Sequence, residues 1–183
     1  FIIAEGKLYV EAGMEVIAVV EPLVSQISSE HFEEFLTAPY TKIFDEIRKM
    51  GVYSSFFVCG DATRNIECMC KTKPDSISVD ENIRIADIRP ITEKYDVAVG
   101  GNIPLTTVVL HGSQQDNMKY VVELIDSVKD SNHNFIVSPG CDMPYDVPVE
   151  NTIGAAQAVL EYEKVKELVK NYEATDYSKF DIV

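Results

Sequence analysis

The chain has 183 residues, with 30 aspartates and glutamates against 16 lysines and arginines, for a formal net charge of −14 at pH 7. That surplus of carboxylates argues against a nucleic-acid partner, because phosphate binding needs clustered Lys and Arg. The length suits a single domain over residues 1–183, and 46% hydrophobic with 25% charged residues is an ordinary globular composition.

No basic segment leading into an apolar one opens the sequence, so no signal or transit peptide is expected. The uncharged stretch Val97 to Gln115 is broken by Gly100, Gly101, Asn102, Pro104, Gly112 and Ser113, and no membrane span is expected. Four cysteines, Cys59, Cys68, Cys70 and Cys141, are too few and too irregular for a disulfide framework. They point to a reducing, cytoplasmic setting.

In chain order, Phe1 to Gly13 reads as the tail of a helix running into a first strand, Glu15 to Val20. A helix over Ser29 to Met50 follows, opened by a serine cap, split by Pro39 and stopped at Gly51. The second strand is Tyr53 to Val58 and its helix Asp61 to Lys71; the third strand is Ser76 to Val79, followed by a helix over Ile83 to Tyr95 broken at Pro90. Val97 to Val99 and Phe135 to Val137 are the last two strands, followed by helices over Gln114 to Lys129 and Val149 to Tyr172.

This alternation predicts an α/β fold with a parallel sheet and right-handed crossovers. Two architectures fit five βα units: a flavodoxin-like sheet, or the last five units of a (β/α)8 TIM barrel. The helix tail at residues 1–13 favours the barrel.

In such folds the chemistry gathers where the strands end. The strand ends here carry Glu21; Cys59, Gly60 and Asp61; Asp80 and Glu81; Gly100, Gly101 and Asn102; and Gly140, Cys141 and Asp142. Cys59 and Cys141 suit two ligands of a zinc site, with Glu21, Asp80 or Glu81 as the third; they equally suit small buried apolar side chains. Cys68 and Cys70, two apart on a helix, point to different faces and read as inert packing or surface thiols. His31, His111 and His133 read as solvated, with His111 the one nearest a site. Asn102 is either an amide turned into the pocket or a turn residue after two glycines. Asp80, Glu81 and Asn102 are the catalytic candidates, Gly101, Asn102 and Asp142 the cofactor-binding ones, and Cys59, Cys141 and Glu21 the metal-binding set.

Several of these segments resemble the uroporphyrinogen decarboxylase superfamily: Val58 to Thr63 (VCGDAT), Asp75 to Asp80 (DSISVD), Gly101 to Pro104 (GNIP), Pro139 to Pro144 (PGCDMP) and Pro148 to Asn151 (PVEN). Ile27 to Phe35 and Pro39-Tyr40 resemble it as well. The order is that of the family's second half, which implies a barrel whose first strands, about three, precede residue 1. The resemblance is to the branch of methylcobalamin-dependent methyltransferases, in which a His and two Cys bind zinc. Cys59 and Cys141 match two of those ligands, whereas Phe57 stands where the branch has His. Phe57 and Cys59, two apart on a strand, face the same side.

The resemblance implies methyl transfer between methylcobalamin or cob(I)alamin, carried on a partner corrinoid protein, and a small-molecule donor or acceptor such as a thiol, a methoxy compound or tetrahydrofolate. A decarboxylase of the same superfamily is one alternative, and a non-catalytic corrinoid- or metabolite-binding barrel is another.

Overall fold

The computed structural model describes residues 1–130 and 134–179; His133 lies outside them. In chain order the elements are α1 (Ile2–Glu11), β1 (Val16–Val20), α2 (Ser29–His31), a π-helical turn (Phe32–Leu36), α3 (Thr37–Lys49), β2 (Tyr53–Val58), α4 (Ile66–Lys71), β3 (Ser76–Val79) and α5 (Ile85–Lys94). Then come β4 (Ala98–Ile103), a second π-helical segment (Leu105–His111), α6 (Gln114–Val128), β5 (Phe135–Pro139), α7 (Val149–Leu160) and α8 (Tyr162–Val169).

All strand pairs are parallel and their order is β1-β2-β3-β4-β5. A doubly wound sheet reverses its strand order at a switch point, and this one does not. The strands therefore form an arc of a barrel, as the sequence predicts, and not a flavodoxin-like sheet.

The period of two sorts the strand residues onto two faces. Ile17, Val19, Phe56, Val58, Ile77 and Val79 are buried beneath the helices, while Val16, Val20, Tyr53 and Ile136 are exposed on the opposite, concave face. The densest packing is aromatic. Tyr40 and Phe44 of α3 bring their ring centroids within 4.6 and 5.2 Å of Phe56 on β2. Each such pair adds about 0.5–1.5 kcal/mol to the burial of its area.

Four boundaries differ from the sequence reading. Pro39 does not split a helix: it sits in the first turn of α3, where a missing N–H is tolerated, and the irregularity falls earlier, in the π-helical turn. α5 runs through Pro90, which is exposed, as is Ala86, whose carbonyl the proline leaves without an N–H. β4 extends through Gly100, Gly101 and Asn102 to Ile103, because its ladder with β5 continues where the side-chain pattern has faded. The final helix breaks at Glu161 into α7 and α8.

Candidate active site

The carboxyl ends of the five strands open into a mouth whose loops are pinned by buried asparagines. Asn65 donates its amide hydrogens to the carbonyls of Val24 (2.7 Å) and Ile27 (2.9 Å), fixing the loop after β1. Asn102, at the end of β4, donates to the carbonyls of Asp80 and Ile83 and so fixes the loop after β3. Asn117 of α6 reaches the carbonyls of Val108 and Ser113, and Asn151 of α7 those of Val109 and Gly112, which together hold the segment after β4. Of these four, only Asn102 is singled out by the sequence. Its amide hydrogens are committed to backbone, so at this position it shapes the mouth and does not present a free amide to a ligand.

Into this frame the fold brings two thiols. Cys59 follows β2 and Cys141 follows β5, with β3 and β4 between them, yet their Sγ atoms stand 2.7 Å apart. Two backbone features make the approach. Gly140 passes so close to β3's end that a Cβ there would lie 2.8 Å from the Glu81 backbone nitrogen, so only glycine lets Cys141 reach across. On the other side, Asp80 accepts a hydrogen bond from the Gly60 N–H at 2.9 Å and ties the residue after Cys59 to β3.

The other strand-end candidates are anchored. The second oxygen of Asp80 accepts from the backbone and side-chain N–H groups of Asn82. Glu81 accepts from the Leu105 N–H and closes the start of the π-helical segment. Gly101 has φ +136°, and a Cβ there would lie 2.8 Å from the Val79 carbonyl oxygen, so steric fit to β3 explains it without a ligand. Asp142 is exposed beside the thiols.

Glu21 is not gathered with Cys59 and Cys141, and the expected metal set is corrected on this point. Its Oε1 accepts from the Leu23 N–H and its Oε2 from the Tyr40 hydroxyl at 2.9 Å. Burial, and then this carboxylate, push the Tyr40 phenol above its ordinary value. Among the described residues no three His, Cys, Asp or Glu side chains come together as a metal-binding group. Phe57 occupies the same side of β2 as Cys59 and brings a ring without a donor. Two thiols without a third ligand do not fit a catalytic zinc centre, which takes three.

The electrostatics of the mouth are negative. Burial pushes the Cys59 thiol up to about 12, helped by its contact with Cys141 and then by the charges of Asp80 and Asp142. Residues 21, 59–61, 80–82, 100–104 and 139–142 include no Lys or Arg. Cys68 and Cys70 are both buried in α4, which selects packing over a surface position, and His111 ends the second π-helical segment exposed. A cavity of about 890 Å³ lies at the opposite end of the sheet, among Val16, Arg48, Tyr53, Lys73, Ala98 and Ile136.

Five parallel strands in sequential order, with thiols, carboxylates and amides at their carboxyl ends, define a barrel-type α/β protein whose chemistry belongs at the mouth. The chain belongs to the uroporphyrinogen decarboxylase (URO-D) family, whose model matches residues 1–162. It is 28% identical over 176 residues to the methylcobamide:CoM methyltransferase MtbA of Methanosarcina acetivorans, covering 94% of this chain and 47% of that protein. A uroporphyrinogen decarboxylase of Anaeromyxobacter dehalogenans is 29% identical over 150 residues, 82% of this chain and 42% of its own. A solved methyltransferase from Methanosarcina mazei shares the fold with a TM-score of 0.77 at 22% identity, over 88% of this chain and 46% of that one. The chain thus spans about half the length of the curated relatives it matches.

Proposed function

We propose that the protein is a corrinoid-dependent methyltransferase, moving a methyl group between a corrinoid carried on a partner protein and a small molecule at the strand-end mouth. The observation that carries this reading is the meeting of Cys59 and Cys141 at the mouth, at the two positions the methyltransferase branch uses. The similarity to a methylcobamide methyltransferase supports it. The charge of the mouth favours it over its nearest rival. A tetrapyrrole with several carboxylates needs cationic partners, and these strand ends offer Asp80, Glu81 and Asp142 in their place. A neutral methoxy compound, a methylated amine or a small thiol meets no such repulsion, and methylated ammonium groups are attracted.

The geometry supports the roles proposed here. Cys59 and Cys141 face the reacting methyl group, Asp142 lines its approach, and Asp80, Glu81 and Asn102 hold the loops that position them. Gly101 is the close-packed strand residue beneath. Two thiols and a phenyl ring do not complete a zinc site among the described residues, so no metal takes part in the proposed transfer. Zinc content well below one equivalent is expected in the purified full-length protein. A full equivalent that disappears in Cys59→Ala would restore zinc assistance to the mechanism. The net charge of −14 keeps nucleic acid out of the proposed partners. No described helix is long and apolar enough to cross a membrane.

The test is a cobalamin spectrum. Full-length protein mixed with methylcobalamin and a small thiol should demethylate the cobalamin, and reduced cobalamin with a methylamine or methoxy donor should be remethylated. Failure in both directions with every acceptor and donor tried would leave the non-catalytic binding barrel as the better reading.

A further inference from the structure

The sulfurs of Cys59 and Cys141 are 2.7 Å apart, well inside the roughly 3.5–4.0 Å of ordinary non-bonded contact. A disulfide bond is about 2.05 Å long, so a small adjustment at the mouth joins them. Both residues are partly exposed, so a small molecule reaches them from solvent, whereas Cys68 and Cys70 are buried. No third metal ligand is gathered beside the pair among the described residues. The approach is built into the backbone by the contact of Gly140 with Glu81 and by the bond from Gly60 to Asp80.

We propose that Cys59 and Cys141 form a redox-active dithiol that exchanges with small-molecule disulfides. The Cys141 sulfur, its proton lost to solvent, attacks a sulfur of R–S–S–R, while Cys59, whose thiol is pushed up by burial, is the resolving partner. The external S–S bond breaks, the first RSH leaves with a proton, and a mixed disulfide remains on the protein. The second cysteine, giving up its own proton, then attacks the protein-side sulfur of that mixed disulfide and releases the second RSH. The protein pair loses two electrons and two protons, and the external disulfide gains both to become two thiols. The exchange rests on the sulfur geometry alone. Its consequence, that oxidation removes both S–H groups from the mouth and halts methyl transfer until a thiol reduces the pair, rests on the function proposed above.

The test uses full-length protein incubated with 2-hydroxyethyl disulfide, then alkylated, digested without reductant and weighed. The expected product is a cross-linked peptide pair joining Cys59 to Cys141, two hydrogens lighter than its parts and released by dithiothreitol. Cys59→Ser should carry the hydroxyethylthio adduct on Cys141, because the resolving thiol is gone. Cys68→Ala should give the same cross-link as the unaltered protein and keeps the test intact where Cys59→Ser does not fold. Unreacted thiols, or separate adducts with no cross-link, would overturn the proposal. Methyl transfer by the reduced protein, followed in parallel, separates the two readings. A cross-link in a protein that never transfers methyl groups leaves the dithiol standing and sinks the function; methyl transfer with no cross-link does the reverse.

Discussion

The two ends of the sheet differ in the way a barrel enzyme's ends should. At the amino ends of the strands lies a cavity of about 890 Å³, wide and partly basic, with Arg48, Lys71 and Lys73 around it. At the carboxyl ends the cavities are smaller, about 470 Å³ beside Asp61, Thr63 and Arg64 and about 260 Å³ beside Glu81 and Asn102, but there are two touching thiols, several carboxylates and four asparagines holding the loops. By size alone the amino end stands out. The density of convergent polar groups favours the carboxyl end, because loops there are free to carry them while the strands are packed.

That contrast is open to attack by mutation. The largest expected effect on stability is at the mouth. Asn102→Ala leaves the carbonyls of Asp80 and Ile83 buried without donors, each at about 1–3 kcal/mol, so a loss of about 2–6 kcal/mol is expected in denaturant titration. Methyl transfer should fall with it, as the loop after β3 loosens. At the floor, Asp75 accepts from both the N–H and the hydroxyl of Ser54, at 2.8 and 2.7 Å. Asp75→Ala should cost about 1–3 kcal/mol and leave methyl transfer unchanged in the folded fraction. If the floor variant lost activity and the mouth variant kept it, the assignment of the two ends would be inverted.

A smaller effect appears on the alkaline side. Burial pushes the Cys70 thiol from 9.0 up to about 12. A folded-state value above the unfolded one gives stability that is complete below pH 9 and lost as pH rises through 12, because the unfolded chain ionises first. Melting temperature followed over that window should fall less steeply in Cys70→Ala than in the unaltered protein. The smallest effect belongs to Lys73→Ala, at the cavity rim, with a stability change within about 0.5 kcal/mol and no change in methyl transfer.

How far the sequence carried depends on what kind of signal each feature left. β2 and β3 are found with their observed boundaries, since aromatic and β-branched residues recur along them and close both at a valine. β4 is cut short in the reading because two glycines and an asparagine carry no side-chain period, although their backbone continues the ladder. The break at Glu161 has neither Gly nor Pro to announce it. At the site, Cys59 and Cys141 are legible as strand-end residues, and the similarity of their segments links them before any distance is known.

Glu21 was the misassigned ligand. One of its oxygens is held locally by the Leu23 N–H, and the other is claimed by the Tyr40 hydroxyl once α3 has folded back onto β1. The buried asparagines were the larger omission. Asn65 and Asn151 fall inside segments of helical spacing, where an asparagine is an ordinary polar residue and nothing local marks it as a partner of a distant loop. Their role depends on carbonyls 38 to 42 residues away.

The central claim is that the thiol-bearing mouth, and not the large basic cavity, is where methyl transfer takes place. The most direct measurement is the rate of methylcobalamin demethylation by a small thiol, taken side by side for full-length protein, Cys141→Ala and Lys73→Ala, with folding checked by circular dichroism. Loss of about 100-fold or more in Cys141→Ala with Lys73→Ala unchanged is the predicted result, the size expected when a group acting on the transition state is removed. Equal rates in all three proteins, or a loss confined to Lys73→Ala, would contradict it.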